Sequence, residues 1–92
     1  MKMLLFTQEG CKNCYFVKEI AEEIKKQEEI EIEYLDLREA DGMAEAAFYD
    51  VEITPTLILV DSNEIELSSW RNVIPEKSEI IGEIKKHKVR NV

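Results

Sequence analysis

The chain has 92 residues, 45% of them apolar and 35% charged, and carries a formal net charge of −8. That balance predicts one small, soluble, globular domain and excludes a disordered chain. It also excludes nucleic acid as the main partner, because no basic stripe is available to neutralise phosphates. The opening MKMLLF loses its apolar character at Thr7, short of the roughly 7–15 residues of a signal-peptide core. No run approaches the about 20 apolar residues of a membrane span. Two closely spaced cysteines would staple little of a secreted domain, so a cytoplasmic location is expected.

Met3 to Phe6 is a short apolar run bounded by Thr7, Gln8, Glu9 and Gly10, which reads as a buried strand ending in a loop. From about Asn13 to Glu28 the period becomes helical. Phe16, Val17, Ile20, Ala21 and Ile24 form an apolar side, and Lys18, Glu19, Glu22, Glu23, Lys25 and Lys26 face away. Ile30 to Leu37 alternates, with Ile30, Ile32 and Tyr34 on one face and Leu35 and Leu37 on the other, so burial switches along this strand. A helix joined by such short connections to two strands is a βαβ unit with parallel strands.

Asp41 is placed to cap a second helix running to about Tyr49, with Ala44, Ala47 and Phe48 as its apolar side. Leu57 to Val60 is a continuous apolar run, as in a central strand. Asp61 to Asn63 then turn the chain, and Ile65 and Leu67 alternate with Glu64, Glu66 and Ser68 in a half-exposed antiparallel strand. Pro75 to Lys88 closes the chain as a helix, with Ile80, Ile81 and Ile84 on one face and lysines at its C-terminal end. The order β-α-β-α-β-β-α predicts an α/β fold with a mixed four-stranded sheet flanked by helices.

Both cysteines lie in GCKNC, residues 10–14. Gly10 lets the chain turn sharply out of the first strand, which places Cys11 at a helix N-terminus. The unpartnered N–H groups and the helix dipole there stabilise a thiolate over a thiol. Lys12 adds a positive neighbour and Glu9 opposes it. Cys11 is therefore expected to be an acidic, exposed nucleophile. Cys14, one turn further in, should be shielded and thiol-like. One exposed nucleophile beside a resolving thiol is what thiol–disulfide exchange needs. Two other readings stay open at this point. The pair could form half of a zinc or cluster site, with His87 as the remaining ligand of the usual kind and a second chain or a carboxylate supplying the rest. The two thiols could also simply pack as small buried side chains.

A second stretch, YDVEITPT, sets Pro55 just before a central strand, where proline does not fit the ladder. The segment from Ile53 to Thr56 needs a special geometry, and a cis Thr54–Pro55 bond would supply one. G-C-x-x-C at a strand-to-helix step, followed by Y-x-V-x-x-x-P-T leading into a strand, resembles the thioredoxin fold family. The compact order resembles that family's small glutaredoxin-like redoxins. The resemblance covers nearly the whole chain as one domain.

It implies that Cys11 attacks, that Cys14 resolves, and that the two form a redox-active disulfide needing no metal or organic cofactor. It implies that Pro55, in cis, packs against the sulfurs. Thr54 would then offer its backbone N–H and C=O to an extended substrate. Lys12 and Asn13, which replace the Gly-Pro of W-C-G-P-C and the Pro-Tyr of C-P-Y-C, would tune the thiol chemistry. Leu5 stands where thioredoxins place a buried aspartate. Gln8 stands near the glutathione-binding lysine of glutaredoxins, and SSWRNV replaces their Gly-Gly-x-x-Asp stretch.

A monomeric redoxin that reduces protein disulfides is the expectation. A reductase of the thioredoxin-reductase type is favoured over glutathione for recharging it. Reduction of one dedicated partner, such as ribonucleotide reductase, is a narrower form of the same reading. Trp70, in a loop after the last strand, would either form an apolar substrate platform or cap the closing helix. WRNVIPE resembles the W-S-G-F-x-P-D run of small glutaredoxin-like redoxins and points to the first. Tyr15, beside Cys14, would line the site or pack on its helix, and His87 is expected to be solvated at a helix end.

Overall fold

In the computed structural model, residues 1–90 are described, with side chains as far as Lys88. Seven elements follow one another: β1 Lys2–Thr7, α1 Lys12–Glu28, β2 Glu31–Asp36, α2 Ala40–Phe48, β3 Thr56–Val60, β4 Glu66–Arg71 and α3 Lys77–Arg90. The strands form one sheet in the order β2-β1-β3-β4. β1 runs parallel to β2, and the β1–β3 and β3–β4 pairs are antiparallel. This is the mixed sheet that the element order predicts.

β1 and β3 are central and covered on both faces, which is why both read as unbroken apolar runs. Alternation divides their side chains between two cores. Met3, Leu5, Leu57 and Leu59 pack with Val17, Ala21 and Ile24 of α1 and with Ile80 and Ile84 of α3. Leu4, Phe6, Ile58 and Val60 pack on the opposite face with Ala46, Tyr49 and Val51. Burying each such aliphatic side chain contributes about 1.5–3 kcal/mol. β2 switches faces as its pattern predicts, with Ile30 and Ile32 on the first core and Leu35 and Leu37 on the second.

Several side chains depart from the sequence reading. Phe16 is exposed, because the buried stripe of α1 is the narrower set Cys14, Val17, Ala21 and Ile24. Tyr34 is also exposed, at the edge strand, where its hydroxyl donates to Glu22 at 2.6 Å. α2 is rotated relative to the expectation: Gly42 and Ala46 are buried, and Ala44, Ala47 and Phe48 face solvent. Close backbone approach decides this. A Cβ at position 42 would lie 1.8 Å from the Asp36 carbonyl oxygen, so only glycine lets α2 seat there. Asp41 is not the cap; Glu39 holds that position without a side-chain cap bond, and Asp41 sits in the first turn.

β4 starts and ends later than expected. Ile65 falls in the preceding loop and is exposed, and Trp70 and Arg71 belong to the strand. α3 begins at Lys77, with Pro75 buried ahead of it. His87 is more covered than expected. Its side chain is 15% exposed, with Nε2 3.8 Å from Glu83. Among the described residues, no helix is long and apolar enough to cross a membrane.

Candidate functional site

The thiols lie where β1 gives way to α1, at the C-terminal ends of the two parallel strands. Open α/β sheets commonly place their sites there. Gly10 has φ +83°, a conformation that a side chain would oppose. The turn it makes is closed by the Cys11 N–H, which donates to the Gln8 carbonyl at 3.2 Å. Cys11 is the N-cap of α1, and its sulfur accepts a hydrogen bond from the Cys14 backbone N–H at 3.1 Å. The residue types that usually cap helices offer oxygen for this bond; here sulfur does it. The first turn of α1 holds no acidic residue, so nothing within it cancels the positive end of the dipole.

Cys11 and Cys14 are joined by a disulfide, with their Cα atoms 5.4 Å apart. Cys11 is partly exposed, whereas Cys14 is buried at 6% exposure. Leu5, on the strand leading to this step, is fully buried and brings no ionisable group to the sulfurs.

The second wall comes from the segment before β3. The Thr54–Pro55 peptide bond is cis. Two bonds hold the segment: the Thr56 hydroxyl donates to the Ile53 carbonyl at 2.7 Å, and the Asn72 N–H donates to the Pro55 carbonyl at 2.8 Å. Between the two walls lies an open groove of about 440 Å³, lined by Gln8, Glu9, Gly10, Cys11, Lys12, Asn13, Thr54 and Pro55. Five residues singled out in the sequence therefore meet in one groove: Cys11, Lys12, Asn13, Thr54 and Pro55. Cys14 joins them through the disulfide. A groove of about 390 Å³ around Lys2, Glu31 and residues 61–64 lies at the other end of the sheet, away from both cysteines.

Trp70 does not line the groove of the thiols. It sits on β4 opposite Leu57, half-buried against the core shared with α1 and α3, with Nε1 3.4 Å from Glu79. Of its two sequence readings, this geometry matches packing on the closing helix. Tyr15 points outward and packs edge-on against Phe16.

Gln8 and Glu9 add to the groove wall. Sequence reasoning weighed both residues, but not as lining. Arg38 escaped it altogether. Its guanidinium pairs with Glu9 and with Asp36, and the partner in the wall is 29 residues away in the chain. Only the parallel pairing of β1 and β2 creates that meeting. Arg38 holds the Asp36 carboxyl down to about 2. Among the described residues, no group of three or more His, Cys, Asp or Glu is placed to hold a metal ion.

No protein-family model matches the sequence, and no curated protein matches it. Solved structures do. Thioredoxin 1 from Thermosipho africanus TCF52B superposes with a TM-score of 0.82 at 26% identity, and the alignment covers 100% of both chains. A thioredoxin-like protein from Clostridium perfringens gives 0.81 at 21% identity, over 92% of this chain and 68% of that one. A mutant thioredoxin from Halobacterium salinarum gives 0.79 at 20% identity, over 91% and 71%. The chain has the thioredoxin fold. Within that fold it carries a C-x-x-C disulfide at the strand-to-helix step.

Proposed function

We propose that this protein is a thiol–disulfide oxidoreductase that reduces disulfides in protein substrates. The observation that carries the reading is the half-exposed Cys11 at the N-cap of α1, disulfide-bonded to a buried Cys14 and facing the Thr54–Pro55 wall. In the reduced protein, the Cys11 thiolate attacks one sulfur of a substrate disulfide. A Cys11–substrate bond forms, the substrate S–S bond breaks, and the departing sulfur leaves as a thiolate that takes up a proton. Cys14 then gives up its proton and attacks the Cys11 sulfur. The Cys11–Cys14 disulfide forms, and the second substrate sulfur leaves as a thiol after protonation. Two electrons pass from the dithiol to the substrate, with no metal or organic cofactor.

An extended substrate segment would pair with the Thr54 backbone N–H and C=O, since Pro55 has no N–H to offer. Lys12 and Asn13, between the two thiols, would set how strongly the site reduces. The protein would act as a monomer in the cytoplasm. A reductase of the thioredoxin-reductase type would restore the dithiol, because Gln8 and SSWRNV lack the features that hold glutathione.

The test is insulin reduction with dithiothreitol as the reductant. The wild type should accelerate precipitation of the insulin B chain. Cys14→Ser should accumulate mixed disulfides through Cys11, and Cys11→Ser should do neither. A wild type without effect, together with a Cys14→Ser form that traps nothing, would sink the reading. Offering the oxidised protein a thioredoxin reductase with NADPH, and separately glutathione with its reductase, identifies the donor.

A further inference from the structure

Arg38 stands outside the groove yet grips one of its walls. Its anchor is firm on the β2 side. The Asp36 carboxylate accepts from Arg38 three times: from the backbone N–H at 2.8 Å, from Nε at 3.1 Å and from Nη2 at 2.7 Å. The Leu37 N–H donates to the Thr7 carbonyl at 3.0 Å, which fastens this turn to the end of β1. The remaining arm of the guanidinium, Nη1, donates to Oε2 of Glu9. A planar fork with a fixed spread suits two carboxylates at once, as an ammonium does not.

Glu9 needs such a hold. It lies two residues before Cys11, its side chain is 80% exposed, and it lines the same groove. The charged residues that line this groove are Glu9 and Lys12, and the Thr54–Pro55 wall adds none. A carboxylate free to swing across the groove would oppose a Cys11 thiolate and an approaching anionic sulfur alike.

We propose that Arg38 is a positioning residue for the redox site: it fixes the Glu9 carboxylate at the groove wall, so that it does not swing across in front of Cys11. The consequence for turnover rests on the oxidoreductase reading; the restraint itself does not. Because the pair is solvent-exposed, its effect is modest, about half a pH unit on the Cys11 thiol. Lys12 and Asp36 contribute to the field at Cys11 in every variant, so the comparison isolates Glu9 and Arg38.

The experiment is a double-mutant cycle read by iodoacetamide alkylation of reduced Cys11 against pH, in a Cys14→Ser background. Arg38→Met should raise the Cys11 pKa by about half a unit when Glu9 is present and by about 0.2 or less in Glu9→Gln. Arg38→Lys should recover part of the shift. Circular dichroism of each variant controls for folding, and Arg38→Gln replaces Arg38→Met if the latter is unfolded. No shift in Arg38→Met, or equal shifts in both backgrounds, would overturn the proposal, since independent charges add. Alkylation needs only a thiol. A protein that fails to reduce insulin but shows the non-additive shift loses the oxidoreductase reading and keeps this one. The reverse result does the opposite.

Discussion

The Cys14 backbone N–H points at the Cys11 sulfur from 3.1 Å. In the oxidised protein this is a weak contact with a neutral sulfur. In the reduced protein the same donor would face a thiolate, and a hydrogen bond to a charged acceptor is roughly twice as strong as one between neutral groups. With the helix dipole behind it, the arrangement favours the charged form of Cys11. The Cys11 thiol of the reduced protein should titrate well below the ordinary value of about 8.5, inside the about 3.5–7.5 range of such sites. Alkylation rate against pH, followed by peptide mapping, checks this. Cys14, buried under the first turn, should react far more slowly at every pH. A Cys11 that titrates at 8 or above would sink this prediction, because an exposed Glu9 paired with Arg38 is too weak to offset the dipole and the donor.

The Asp36 carboxyl gives a pH signature of the fold itself. The side chain and backbone of Arg38 hold it at about 2, below its ordinary 3.8. A carboxyl depressed in the folded state stabilises that state above its unfolded pKa. The contribution fades as pH falls from about 4 towards 2 and is gone when Asp36 is protonated in both states. Asp36→Asn should therefore be less stable than wild type at pH 7 and nearly equal to it at pH 2. Urea midpoints at pH 7, 4 and 2 follow the difference. Arg38 is half exposed, so solvent screening keeps the effect small, and added salt should shrink it further.

Gly42 gives a sharper prediction on stability. Glycine to alanine inside an exposed helix ordinarily gains about 1 kcal/mol. Here the new Cβ would meet the backbone of Asp36, with its carbonyl oxygen at 1.8 Å. Neither partner is a flexible side chain that could swing away, so α2 would have to lift from the end of β2. Gly42→Ala should cost about 2–3 kcal/mol, read from chemical denaturation. A neutral or stabilising result would mean that α2 seats further from β2 than the structure has it.

The contrast between Gly42 and Cys11 explains how far the sequence could be read. Cys11, Cys14 and Pro55 stand out by local chemistry, as thiols after a glycine turn and a proline where a strand begins, whereas Thr54 is singled out only through the family resemblance. The core of β1 and β3 is equally local, because a strand covered on both faces must be apolar throughout. α2 was legible as a helix but not in its orientation. Ala44, Ala47 and Phe48 make the more apolar side of its wheel, yet the buried side is the one whose glycine permits close approach to Asp36. Periodicity reports where apolar residues are, and it is silent about where a backbone comes too near for a Cβ. Arg38 was illegible for another reason. An exposed arginine between two acidic residues reads as surface, and only the β1–β2 register brings it to Glu9.

Trp70 separates packing from recognition. A tryptophan in a loop beside the thiols would serve as a substrate platform, and its loss would raise KM for protein substrates. The structure puts it on β4 instead, paired with Leu57, packed on the core of α1 and α3, and reaching Glu79 at the start of α3. Its removal should act on stability. Trp70→Ala should cost about 2–3 kcal/mol, below the about 3–5 of a fully buried tryptophan because the ring is only partly covered. Trp70→Phe keeps most of the packing and loses the indole N–H, which a 3.4 Å contact to Glu79 makes a minor loss. Assayed well below its melting temperature, Trp70→Ala should keep its kcat/KM for insulin within about two-fold of wild type. A ten-fold rise in KM with kcat unchanged would instead mean that substrate reaches this face, since that pattern marks lost binding rather than lost chemistry.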